Sequence, residues 1–163
     1  MLAKTLKWLR LIEALVASVA YAAVAILLMA DVIGRELFET AILGAQQLAV
    51  YGAILAGFLG FTLATSDNTH LRPEFLDFVL KRFEPWTSQV GNALSALFFF
   101  GAGYVAWTFV EISMDAGDKA PVLYFVVWPL QLIIPYAFIS SGLKHLAFAA
   151  YPDLQPAKER EAG

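Results

Sequence analysis

The stretch "TAILGAQQLAVYGAILAGFLGFTLATS", Thr40 to Ser66, runs for 27 residues without a charge. A helix needs about 20 mostly apolar residues to cross the roughly 30 Å hydrocarbon core of a bilayer, so this run is long enough. In lipid the backbone must satisfy its own hydrogen bonds, which a helix does and an open sheet does not. Working outward, the pattern recurs: 26 uncharged residues separate Glu84 from Glu111, and 24 separate Lys119 from Lys144. A shorter run of 17 lies between Glu13 and Asp31, and it also spans if those two carboxylates reach the interfaces. The sequence predicts an all-α integral membrane protein, a single membrane domain over 1–163. Its four transmembrane helices are expected at about 11–33, 41–65, 87–110 and 121–145.

Composition agrees. The chain is 60% hydrophobic and 15% charged, whereas soluble domains average about 25% charged. It has no cysteine, which excludes disulfides, thiol catalysis and Cys-ligated metals. No paired carboxylates, nucleophile elbow, phosphate loop or metal-ligand spacing is present, so neither an enzyme nor a resident cofactor or metal is expected. No nucleic-acid partner is expected either. The start has some marks of a secretory signal peptide, with Lys4, Lys7 and Arg10 before an apolar run and Ala20-Tyr21-Ala22 as a cleavage-like step. Glu13 inside that region, and the eight apolar residues that follow Ala22, favour an uncleaved first span.

Four spans put both termini and the central loop on one side. That side collects Lys4, Lys7, Arg10, Arg72, Lys81, Arg82, Lys144, Lys158 and Arg160, nine of the eleven basic residues, leaving Arg35 and Lys119 on the other. The positive-inside rule then predicts cytoplasmic termini. Trp8, Trp86 and Tyr151 suit the inner interface, and Trp107 and Tyr124 the outer one.

Between the second and third spans lies "HLRPEFLDFVLKRFEP", His70 to Pro85. At 100° per residue, Glu74, Asp77, Lys81 and Glu84 share one sector while Leu and Phe side chains cover most of the rest. Pro73 suits a first helical turn and Pro85 ends the helix. This predicts an amphipathic interfacial helix over 71–84, covering either the chain's own bundle or a partner's flank. A flexible tail is expected at 152–163.

The span interiors read as free of Asp, Glu, Lys, Arg and His, which argues against an ion-coupled carrier. Glu13, at the edge of the first span, is the one candidate acid for a self-sufficient small carrier. His70 and His145 are expected at the cytoplasmic rim, away from any buried haem. Small residues recur at packing distance: Ala41, Ala45, Ala49, Ala53 and Gly57, beside Gly52, Ala56 and Gly60, in the second helix. Others are Ala14, Ser18 and Ala22 in the first helix, and Gly91, Ser95, Ala96 and Gly103 in the third. Such residues let helices approach closely, and two adjacent stripes on one helix suggest a larger partner beside internal packing. Asp31 and Arg35 stand at i,i+4 and are expected to pair. Gln131, between Pro129 and Pro135, is expected in a kinked helix.

The order of "DVIGRELF" (31–38), "GAQQLAVYGAILAGFLGFTLA" (44–64), "THLRPEFLDFVL" (69–80) and "VVWPLQLIIPYAFISSGLKHL" (126–146) resembles the small membrane subunit of TRAP transporters, the DctQ-like or Q-type subunit. The resemblance covers about residues 10 to 150. It rests on Arg35 closing the first helix, on Gln46, Gln47, Leu48 and Ala49, and on His70, Arg72 and Glu74. The family often carries acids where Gln46 and Gln47 stand here. The resemblance implies a bacterial inner-membrane uptake system in three parts. A periplasmic binding protein captures an organic acid, a large permease carries it inward by a sodium-coupled elevator motion, and the small subunit widens the permease's fixed scaffold. Sodium is then expected on the permease and no cofactor on this chain. Asp31, Arg35, Gln46, Gln47, Ala49, Ala53, Gly57, His70, Arg72 and Glu74 become candidates for partner or lipid contact. Two other readings are a small homo-oligomeric carrier and a membrane anchor of a redox complex.

Overall fold

The structure is a computed structural model and describes residues 2–66, 86–151 and 154. Four helical segments are long and apolar enough to cross a membrane. They are α1 (Leu2–Phe38), α2 (Ala45–Ser66), α3 (Trp86–Ala116), and a fourth in two pieces, α4 (Trp128–Gln131) and α5 (Ile133–Ala150). The protein is therefore an all-α, four-span membrane protein. The expected interfacial helix at 71–84, with His70, Arg72 and Glu74, lies outside the described residues, as does the tail 152–163 apart from Leu154.

Local chemistry sets the helix ends. The 37 residues of α1 make a rod about 55 Å long, so it extends past the expected span of 11–33 at both ends. It stops where Glu39 takes φ +50° and the Thr40 N–H turns back to donate to the Gly34 carbonyl at 3.1 Å. A Cβ at position 34 would sit 2.8 Å from the Thr40 carbonyl oxygen, so glycine is what lets the chain reverse there.

The fourth span begins at Trp128 rather than near 121. Residues 118–127 form a turn in which the Ala120 N–H donates to Phe125 O (2.8 Å), Tyr124 N–H to Ala120 O (2.9 Å) and Val127 N–H to Asp118 O (3.1 Å). Pro129 stands in the first turn of α4, where a missing N–H costs nothing. Pro135 cannot donate to the Gln131 carbonyl, which explains the break at Leu132.

The spans stand in a row: α1 packs along α2, α2 along α5, and α5 along α3. The start of α1, the end of α2, the start of α3 and the end of α5 meet at one end of the row, here the near end. The α1–α2 and α3–α4 connections meet at the far end. Small residues allow the close approaches. A Cβ on Gly52 would lie 2.5 Å from Val24 of α1, and one on Gly103 would lie 3.1 Å from Ile139. Gly142 lies under the Phe100 ring. Phe61 meets Phe99 and Phe138 edge-on at 5.5 and 5.8 Å between centroids, binding α2, α3 and α5 through one aromatic cluster.

The expected stripe on α2 divides. Ala41 precedes the helix, Ala45 and Ala49 are buried within the chain, and Ala53 and Gly57 are exposed. On α1, Ser18 and Ala22 are exposed as well, whereas Ala96 and Gly103 of α3 are buried.

Candidate functional site

The near end contains a buried polar cluster. Glu13 of α1 is only 1% exposed. Its Oε2 accepts from Lys144 Nζ at 2.6 Å, and its Oε1 accepts from Ser140 Oγ at 2.8 Å and Tyr136 OH at 3.1 Å. Lys144, equally buried, also donates to the Thr62 carbonyl at 2.8 Å. Thr62 lies in the last turns of α2, where carbonyls carry the negative end of the helix dipole and favour a cation. Thr65 Oγ1 donates to Ser141 Oγ at 3.1 Å, so α2 and α5 are hydrogen-bonded a turn further on. An isolated charge at this depth would be expensive. Here the acid and base neutralise each other, and hydroxyls take up the remaining carboxylate lone pairs.

On the other side of α5, His145 Nδ1 and Asn92 Oδ1 are 3.0 Å apart. The imidazole stacks on Phe99 at 5.3 Å and 20°. Consecutive residues thus serve two neighbours, Lys144 toward α1 and α2, His145 toward α3.

At the far end, Asp31 of α1 is 3% exposed. Its Oδ2 pairs with Arg35 Nη2 at 2.9 Å, and its Oδ1 accepts the Ile42 N–H at 3.0 Å. One carboxylate therefore clasps the α1–α2 turn to the helix it leaves. Leu123 seats against Gly44 (φ +81°), where a Cβ would lie 2.5 Å from it, and Tyr51 meets Phe125 edge-on at 5.7 Å.

The expected pair Asp31 and Arg35 is formed. Gln46 is exposed and Gln47 half-buried near the same end, while Ala53 and Gly57 lie midway along α2. Gly57 borders a shallow groove of about 380 Å³ with Ile54, Phe58, Phe61 and Phe138. These residues do not converge on one site. Two expectations need correcting. The spans do contain ionisable groups, because Glu13 and Lys144 are drawn into the bundle rather than left at its edges, and His145 is inside rather than at the rim. Lys144 also leaves the tally of loop cations, reducing the bias from nine against two to eight against two. The signal was present: Tyr136, Ser140 and Lys144 repeat every four residues, as do Ser141 and His145, giving an apolar helix a polar stripe. Among the described residues no three His, Cys, Asp or Glu side chains cluster as a metal site requires.

The family model described as "Tripartite ATP-independent periplasmic transporters, DctQ component" matches residues 24–151. The chain belongs to the DctQ family. As a DctQ chain it is the small component of a TRAP transporter and a multi-pass membrane protein. No curated protein and no solved structure matches it. The DctQ match takes in Asp31, Arg35 and Lys144 but begins after Lys7, Arg10 and Glu13, so the buried ion pair joins a residue inside the matched region to one outside it.

Proposed function

We propose that this DctQ chain is the small scaffold subunit of a sodium-coupled, binding-protein-dependent transporter that imports an organic acid. It holds and widens the large elevator-type permease, and it catalyses no reaction and carries no cofactor, sodium being bound on the permease. The observation that carries this reading is the saturation of Glu13. With Lys144, Ser140 and Tyr136 on its two oxygens, it is spent on holding α1 to α5 and α2. That argues against a self-sufficient carrier, which needs an acid available to an ion. His145 is likewise engaged by Asn92 and Phe99, which does not suit a haem anchor. The row of helices supports a scaffold, because it leaves α1 and α3 as flanks and Ala53 and Gly57 open on α2.

The same reading puts the chain in a bacterial inner membrane, with its near end cytoplasmic, on the remaining eight-to-two basic bias. Single cysteines replacing Lys4 and Asp115 should then differ in intact cells. An impermeant maleimide is expected to label position 115 and not position 4.

The functional test is uptake into liposomes with a sodium gradient, the periplasmic protein, and one or both membrane subunits. Uptake is expected with both subunits and none with this chain alone. Sodium-driven uptake by this chain alone would refute the scaffold role. Gly57→Leu should leave the isolated chain's melting temperature unchanged, since nothing lies within 4 Å of a Cβ there, yet reduce co-purification of the permease. Gly52→Leu, which collides with Val24, should lower the chain's own stability.

A further inference from the structure

We propose that residues 118–127 are a strained latch that fastens two helical hairpins at the far end, and that its release lets them part there about a fixed near end. The inference does not rest on the transporter reading. One hairpin is α1 with α2, the other is α3 with α4 and α5, and the packing of α2 along α5 is the seam between them. The two ends of the seam are fastened differently. At the near end Glu13 and Lys144 pair across it, Lys144 donates to the Thr62 carbonyl, and Thr65 donates to Ser141. At the far end no hydrogen bond or ion pair crosses it among the described residues. The contacts that join it there, Leu123 on Gly44 and Tyr51 edge-on to Phe125, are between apolar groups.

The latch is held under strain. The Leu123 N–H donates to the Pro121 carbonyl at 2.7 Å across Val122, whose φ is +68°, the rare and strained form of γ-turn. For a β-branched residue a positive φ is a genuine outlier. Tyr124, at φ +54°, is a second left-handed residue, so Leu123 stands between two of them. Such backbone persists only where its surroundings hold it. The turn's own bonds run among residues 118–127, while the Leu123 side chain rests over the bare backbone of Gly44 on the other hairpin. Withdrawing Leu123 therefore breaks no hydrogen bond between the hairpins, and it frees Val122 to return to a negative φ. Parting the near end would instead strand a buried charge. The seam thus opens at the far end. A groove of about 380 Å³, between Ile54, Gly57, Phe58 and Phe61 of α2 and Phe138 of α5, lies along the same seam, so the latch sets its width.

The test combines hydrogen exchange on the purified full chain in detergent micelles with distances between spin labels, which a chain without cysteine makes simple to place. Labels on Leu43→Cys/Lys119→Cys report the far end, and labels on Lys7→Cys/Tyr151→Cys the near end. A single near-end distance is expected, beside a far-end distribution with a second, longer component. Leu123→Ala should speed exchange of the 118–127 amides about tenfold and enlarge the longer component, with the near-end distance unchanged. Val122→Gly should slow that exchange about threefold, because glycine adopts a positive φ without strain. Faster exchange in Val122→Gly, as an ordinary loosened loop would give, would overturn the strain. Unchanged exchange and distances in Leu123→Ala would overturn the latch. A near-end distance that shifts as far as the far-end one would overturn the fixed pivot.

Discussion

Glu13 and Asp31 are the two buried carboxylates of α1, at 1% and 3% exposure, yet they are neutralised in opposite ways. Glu13 takes a cation from 131 positions away on another helix, with hydroxyls from that helix completing its shell. Asp31 takes its cation from the next turn of its own helix and uses its second oxygen to hold the following turn. Arg35 keeps 45% of its side chain exposed, whereas Lys144 keeps 2%. The near-end pair is therefore a tertiary contact sealed from solvent, and the far-end pair a local clasp open on one side. Burial without water makes a charge pair costly to break, and solvent on one side makes it cheap.

The largest effect should come from breaking the sealed pair. Glu13→Ala or Lys144→Ala leaves one uncompensated buried charge, so each is expected to destabilise the chain by about 3–5 kcal/mol. Replacing both, as in Glu13→Leu/Lys144→Met, should recover most of that loss, because no lone charge remains. Reversible unfolding in mixed micelles measures all three, and additive losses in the double variant would contradict the pairing.

Asp31→Ala should cost less, about 1–3 kcal/mol, since it strands the Ile42 N–H. Asp31→Asn keeps an oxygen for that N–H and should restore more than half the loss. Equal losses for Ala and Asn would mean that the ion pair rather than the backbone clasp matters. Arg35→Gln is expected to cost least, under about 1 kcal/mol, and the difference should shrink further in high salt. A loss as large as that of Glu13→Ala would erase the contrast between the two ends.

The same contrast explains what the sequence discloses. The four spans are legible because each uncharged run reports directly on the local solvent, and a helix is the only way to satisfy a lone backbone there. The Asp31–Arg35 pair is legible because i,i+4 spacing places the two side chains on one face whatever the tertiary fold. Glu13 and Lys144 each look like the end of a span when read alone. Only the packing of α1 and α2 against α5 converts two apparent boundaries into one interior pair. The small-residue stripe on α2 shows the same limit: its spacing marks a close-packing face, but Ala49 is used within the chain and Ala53 is not. The fourth helix starts at Trp128 for a different reason, since residues 121–127 are as apolar as a span but take up a turn.

The two buried carboxylates also lengthen the surface that α1 offers to lipid. With Glu13 and Asp31 both tied inward, no charge faces outward between Arg10 and Arg35, a segment of 24 residues or about 36 Å of helix. That is a few ångströms longer than an average hydrocarbon core, and a tilt within the usual range of about 0–40° takes up the excess. A helix so dimensioned should lean further over in bilayers of short acyl chains and stand more upright as those chains lengthen.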